Sequence, residues 1–228
     1  QAFRRFRARR KTEIVTIGIE EVNPNKLVGQ YIEPLAWNQA LDDPQTIVID
    51  TRNKYEIDVG TFEGALNPHT DKFSEFPGWV DEILRPLVRE SKPKQIAMFC
   101  TGGIRCEKAT SYLKKEGFSG VSHLHGGILR YLEEVPKHKS RWIGECFVFD
   151  RRVALNHELL PGVHKLCNAC GMPLSPQDRK KTKYIRGVKC HHCEDRFTDQ
   201  DRFRFAERQK HIDELLKSST NNTLWPTP

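Results

Sequence analysis

No apolar run in the sequence approaches the roughly 18 to 20 residues a membrane-spanning helix requires, so helical membrane spans are not expected. With 37% hydrophobic residues and a mean hydropathy of −0.63, the chain reads as soluble. The opening QAFRRFRARRK is not a secretory apolar core and is not preceded by one. There is no internal repeat, which excludes solenoid and propeller arrays. Neither a flavin or nicotinamide fingerprint nor a facial iron triad is present. An even cysteine count is also missing. Seven cysteines, four of them in two CxxC pairs, argue against a secreted disulfide framework. They favour thiol or metal chemistry in a reducing, cytoplasmic setting.

What is present is 228 residues, enough for one ordinary domain and a smaller one. The chain begins with Gln1 in mid-pattern, and we expect it to be part of something longer. Its net charge of +7 is segregated. Residues 1–30 carry seven basic and three acidic side chains, 31–140 carry 14 and 16, and 141–228 carry 16 and 11. Two basic flanks thus bracket a near-neutral middle, a distribution suited to phosphate neutralisation or simply to a solvated surface.

Residues 1–36 read as a basic lead-in and linker, with EIVTIG (13–18) as a short strand. From 37 to 137 strands and helices alternate. A short helix is expected over 36–41, then the strand TIVIDT, then a helix over 71–90 with Trp79, Ile83, Leu84 and Leu87 on one side. KQIAMFC is a second buried strand, EKATSYLKKEGF a helix, GVSHLHGG a third strand and ILRYLEEV a third helix. That order predicts an α/β domain whose parallel sheet is flanked by helices. Residues 138–217 form a cysteine-rich, basic module, beginning with the alternating RWIGECFVFDRRVAL and ending in a helix over 199–217. Residues 218–228 read as a loose tail.

The stretch CTGGIRC places Cys100 at the end of a strand, where open parallel sheets keep their functional crevice. Thr101, Gly102, Gly103 and Ile104 form the turn, and the glycines let several backbone N–H groups converge on one point. The following helix adds its positive end. Together these would hold a thiolate or a persulfide at Cys100, and Arg105 would add charge or grip an anion. Four residues separate Cys100 from Arg105, one fewer than in tyrosine phosphatase loops, which disfavours a phosphatase. Cys106 either resolves Cys100 as a second thiol or faces the core on the first helical turn. Cys146 reads as core.

VIDTRNKYEIDVGTFEGALN, IAMFCTGGIRCEKA and GVSHLHGGILRYL together resemble a rhodanese domain. Asp50, Arg52 and Glu56 match its D-x-R-x-x-x-E stretch, and Gly64-Ala65 its turn. The rhodanese pattern has a histidine where this chain has Thr61. The resemblance implies that Asp50 and Arg52 sit near the loop and brace it, as a salt-bridge network rather than as direct catalysts. CTGGIRCEKA, GTFEGALNPHTDKFSEFP and WIGECFVFDRRV are similar, more narrowly, to the rhodanese-containing tRNA uridine hydroxylases. Trp142, Gly144, Cys146 to Asp150, Arg152 and Val153 carry that second match. It implies oxygen-dependent formation of 5-hydroxyuridine at the wobble position, with Cys100 essential, through a persulfide or without one. It also implies a small ferredoxin-like domain preceding Gln1.

Cys167, Cys170, Cys190 and Cys193 give C-x2-C, 19 intervening residues and C-x2-C, the spacing of a four-thiolate zinc site. Such a site has no open position, so the zinc is structural, and a segment with few apolar residues would draw folding energy from it. His191 and His192 lie inside the second knuckle, as substitute ligands or solvent-facing residues. Between the knuckles Lys180, Lys181, Lys183, Tyr184 and Arg186 suit an anticodon-arm contact, with Arg151 and Arg152 extending the charge. Two rival functions stand beside the hydroxylase. One is a sulfurtransferase carrying a persulfide on Cys100, and the other a non-catalytic, zinc-bearing RNA-binding module.

Overall fold

The computed structural model describes residues 8–221, with side chains described as far as residue 218. The start of the basic lead-in, residues 1–7, and residues 222–228 of the expected tail lie outside the described residues. After Gly162 the chain divides into two compact units.

In the first unit, four parallel strands form a sheet in the order β1-β5-β4-β2. They are β1 (Gln30–Ile32), β2 (Thr46–Asp50), β4 (Gln95–Phe99) and β5 (Val121–Leu124). β2, β4 and β5 are the three β-branched or apolar runs that the sequence marks as strands. Their alternate side chains feed two different cores, as a period of two requires. Ile96 and Met98 face one layer with Ile49, Leu84, Ala109 and Leu113. Ala97 and Phe99 face the other with Trp37, Phe62, Tyr131 and Trp142. Helices α1 (Pro34–Asp42), α5 (Ile104–Lys115) and α6 (Gly127–Glu134) cover these faces. α2 (Lys54–Ile57) is a single turn whose Glu56 carboxylate reaches back to accept the Asn53 N–H at 3.1 Å.

Three expectations are corrected. EIVTIG is not a strand: Val15 has φ 53°, and the Glu13 carboxylate accepts a bond from the Ile17 N–H at 3.0 Å, curling the segment. The linker QYI instead forms β1, an edge strand too short and polar to be marked by composition. Over 71–90 the chain is helical, through α3 (Phe76–Trp79), a π-turn (Val80–Leu84) and α4 (Arg85–Ser91). The π-turn shifts the phase, so that Phe76, Val80 and Leu84 are buried while Ile83 is exposed.

Residues 138–162, assigned on sequence to the cysteine-rich module, lie in the first unit. β6 (Trp142–Gly144) pairs antiparallel with β3 (Gly60–Phe62), and β7 (Cys146–Phe147) with β8 (Ala154–Leu155). Trp142 enters the core edge-on to Phe62, at 5.0 Å between ring centroids. The alternating stretch is therefore three short strands.

The second unit has a hairpin of β9 (Lys165–Leu166) and β10 (Pro173–Leu174), a small core at the four cysteines with Leu174, and helix α7 (Asp199–Asn221). α7 continues into residues 218–221, which the tail assignment had placed outside it.

Candidate active site

Cys100 follows the last residue of β4, and the chain turns at once into α5. The turn depends on glycine. Gly103 has φ 91°, in the region that side chains avoid, and this aims its N–H at the Cys100 sulfur, 3.1 Å away. The loop is closed from behind by the GG that follows β5. Ile128 N–H donates to the Cys100 carbonyl at 2.9 Å and Leu129 N–H to that of Thr101 at 3.1 Å. A Cβ at Gly127 would lie 2.4 Å from the Cys100 carbonyl oxygen, so no other residue fits there.

Five influences act on the Cys100 thiol, and together they bring it down to about 6. The hydrogen bond from the Cys106 thiol is the largest. Burial opposes it, and the Arg105 charge and the N–H groups of Cys106 and Gly103 add to it. Cys100 is only 3% exposed, so the negative sulfur rests in protein dipoles rather than in water. Cys106 moves the other way, well up, because it is buried beside that charge. Its sulfur lies 3.4 Å from Thr51 Oγ1, whose hydroxyl also donates to the Phe99 carbonyl at 3.0 Å.

Arg105 does not stand free in the loop. Its guanidinium grips the buried Glu56 carboxylate at 3.0 and 3.3 Å and donates to the Thr51 carbonyl at 3.3 Å. It contributes charge to Cys100 from that fixed position, and its fork is already occupied. Asp50 and Arg52 form a separate, fully buried pair. Arg52 reaches Asp50 at 2.9 and 2.6 Å, donates to the carbonyls of Glu56 and Gly60, and lies over the Trp142 ring. Burial alone would lower the Arg52 pKa, but the charge and hydrogen bonds of Asp50, together with the charge of Glu56, more than offset it. Thr61, where the rhodanese pattern has histidine, donates to Asp50 at 2.9 Å.

On the loop itself, Gly102 and Ile104 are exposed, and the buried Thr101 hydroxyl has no partner among the described residues. Sequence reasoning missed Thr51 and the Gly126-Gly127 brace. The latter had a signal in the GG after a strand, whereas Thr51 had none.

In the second unit the sulfurs of Cys167, Cys170, Cys190 and Cys193 lie within 4.8 Å of one another. Cys170–Cys190 and Cys190–Cys193 are each 3.7 Å apart. Zinc–sulfur bonds of about 2.3 Å in a tetrahedron require an edge of about 3.8 Å. The donor set and spacing fit a closed four-thiolate metal site. His191 faces Asp178 at 3.7 Å and lies outside that set.

The basic candidates are mostly paired. Lys181 meets Asp178, Lys183 meets Glu194, and Arg186 meets Asp213. Lys180 is exposed, and Tyr184 packs against the cysteine cluster. In the first unit Arg152 holds Asp150, while Arg151 is exposed. Surface pairs of this kind are worth little and open readily to a phosphate.

The Rhodanese-like domain family matches residues 34–134. Over 227 residues, all of this chain, it is 64% identical to the tRNA uridine(34) hydroxylase of Prochlorococcus marinus strain SARG, and covers 71% of that protein. The protein of the same name from strain NATL2A is 61% identical over the same span, again with 71% of it covered. That of Parasynechococcus marenigrum is 60% identical over 221 residues, or 97% of this chain and 69% of the relative. The similarity thus runs through the cysteine loop, the β6–β8 segment and the four-cysteine cluster alike. The chain belongs to the tRNA uridine(34) hydroxylase family.

Proposed function

We propose that this protein hydroxylates C5 of the wobble uridine of tRNA, with molecular oxygen as co-substrate and Cys100 as the essential residue. The observation that carries the reading is a buried cysteine at the carboxyl edge of the sheet whose sulfur accepts the Gly103 N–H and whose pKa is lowered, in a chain of this family throughout its length. The thiolate adds to C6 of the uracil ring. That saturates the 5,6 double bond and moves electron density to C5, the carbon to be oxidised. Once C5 carries one oxygen atom of O2, the other leaving as water with two electrons and two protons from an external reductant, loss of the C5 hydrogen as a proton and departure of the thiolate restore the ring. Departure is favoured by the donors that stabilise the sulfur anion, namely the N–H groups of Gly103 and Cys106 and the Cys106 thiol. Arg105, anchored on Glu56, keeps positive charge beside the sulfur throughout, and Asp50 and Arg52 brace the loop from below.

Zinc on Cys167, Cys170, Cys190 and Cys193 would fix the second unit and take no part in the chemistry. Lys180, Lys181, Lys183, Tyr184 and Arg186, with Arg151 and Arg152, supply an anticodon-arm contact through phosphates and a stacked base. Such a substrate implies a cytoplasmic location.

The same loop would serve a persulfide, so sulfur transfer is the competing chemistry. Accurate-mass nucleoside analysis of unmodified tRNA, incubated aerobically with the protein and with Cys100→Ala, separates the two. Oxygen addition to uridine that disappears with Cys100→Ala is the expected result. Exchange of oxygen for sulfur, with the same nominal mass change, would overturn the hydroxylase reading.

A further inference from the structure

Two cysteines flank the active-site loop, and the proposed reaction uses the second of them only as a hydrogen-bond donor. Cys100 and Cys106 face the same layer of the core, Cys100 beneath the Gly103 N–H and Cys106 beside the Thr51 hydroxyl, and Cys106 is the neighbour that lowers the Cys100 thiol most. The remaining thiol of this unit, Cys146, belongs to the opposite layer, and burial pushes it up to about 12. Cys100 therefore has a single thiol neighbour in its unit, six positions along the chain and on the first turn of α5.

We propose that Cys106 is the resolving thiol of Cys100: when the Cys100 sulfur is oxidised, Cys106 closes a disulfide with it that shelters the active sulfur until a dithiol reduces it.

The chemistry balances with a hydroperoxide as oxidant. The Cys100 thiolate attacks the peroxide oxygen, giving a sulfenic acid and an alcohol or water. The Cys106 sulfur then attacks the Cys100 sulfur, an S–S bond forms, the S–O bond breaks, and the oxygen leaves as water with the Cys106 proton. The two thiols have lost two electrons and the peroxide has gained them.

The electrostatics favour the second step only after the first. While Cys100 is a thiolate, its charge and its hydrogen bond help to hold Cys106 as the neutral thiol. A sulfenic acid carries no such charge. What then remains is burial, which still opposes ionisation, against the Thr51 contact and the Arg105 charge, which favour a Cys106 thiolate. One anionic charge is shared by two sulfurs, and oxidation of the first releases it to the second. The two thiols share one buried layer across a five-residue loop, and Gly102 and Gly103 within that loop allow the approach that closes the bond. Further oxidation of Cys100 to sulfinic acid, which a dithiol does not reverse, is thereby pre-empted.

The inference does not depend on which reaction Cys100 performs, and its readout is mass rather than activity. Trypsin cuts after Lys94, Arg105 and Lys108, so a Cys100–Cys106 disulfide joins peptide 95–105 to peptide 106–108. The whole chain is treated with hydrogen peroxide, quenched and mapped, with and without later dithiothreitol. The expected result is the joined pair, lost on reduction, and with Cys106→Ser about ten-fold faster build-up of sulfinic acid on Cys100. Wild-type Cys100 passing to sulfinic acid as fast as the variant, with no joined peptide, overturns the proposal. The wild-type map decides even if the variant does not fold.

Discussion

Arg52 is fully buried, and its role as a brace rather than a catalyst can be tested through stability. Arg52→Met keeps the length of the side chain and removes its charge and its donors. Asp50 would then be a buried carboxylate facing only the Thr61 hydroxyl and the Arg52 backbone N–H, and the Glu56 and Gly60 carbonyls would each lose a bond. Removing one partner of a buried pair costs about 3–5 kcal/mol. Taking about 4 kcal/mol against a typical urea slope of about 2 kcal/mol per molar, the unfolding midpoint should fall by about 2 M. The assay is tryptophan fluorescence, since Trp37, Trp79 and Trp142 all lie in the first unit. Replacing both partners, as Asp50→Asn with Arg52→Met, removes the stranded charge and should recover about half of the loss. A single variant within about 0.5 M of wild type, or a double variant worse than the single, would refute the reasoning.

Four further outcomes are expected. Alkylation of Cys100 by iodoacetamide, followed at peptide 95–105, should accelerate as pH rises through about 6 and then level off. Arg105→Gln should move that midpoint upward, because the Arg105 charge lowers it; an unmoved midpoint would mean that the charge does not reach the sulfur. The same depressed pKa stabilises the folded chain fully above the ordinary thiol range, and this contribution is lost as pH falls towards about 6, so Cys100→Ala should flatten the stability profile in that window. Native mass spectrometry should find one zinc per chain, absent after Cys190→Ser. Limited proteolysis of that variant should cut within 163–221 first, and wild type without metal would defeat the zinc assignment.

Much of the site was legible because its determinants are local. The run QIAMFC, the glycines and the helix that follows are contiguous, and the two CxxC pairs announce themselves by spacing. What escaped is carried by distant partners. Arg105 reads as a free anion grip until Glu56, 49 positions earlier, is seen to occupy it. The placing of Cys106 in the same buried layer as Cys100 depends on α5 beginning at Ile104, three residues before the helix expected from composition. EIVTIG has the composition of a strand, but it lacks a neighbour with which to pair. QYI does not have that composition, yet it finds β5 alongside and becomes one.

The pairing of β6 with β3 also sets where this protein can be cut. The rhodanese-like match stops at residue 134, and an excised fragment ending there would look complete by family boundaries. It would nevertheless lose Trp142, which lies against Phe62 on one side and over the Arg52 guanidinium on the other. The buried cation would gain a route to solvent and the aromatic core an open flank. The divisible joint lies after Gly162, so dissection of the half that carries Cys100 should keep the strands that return from beyond the nominal domain.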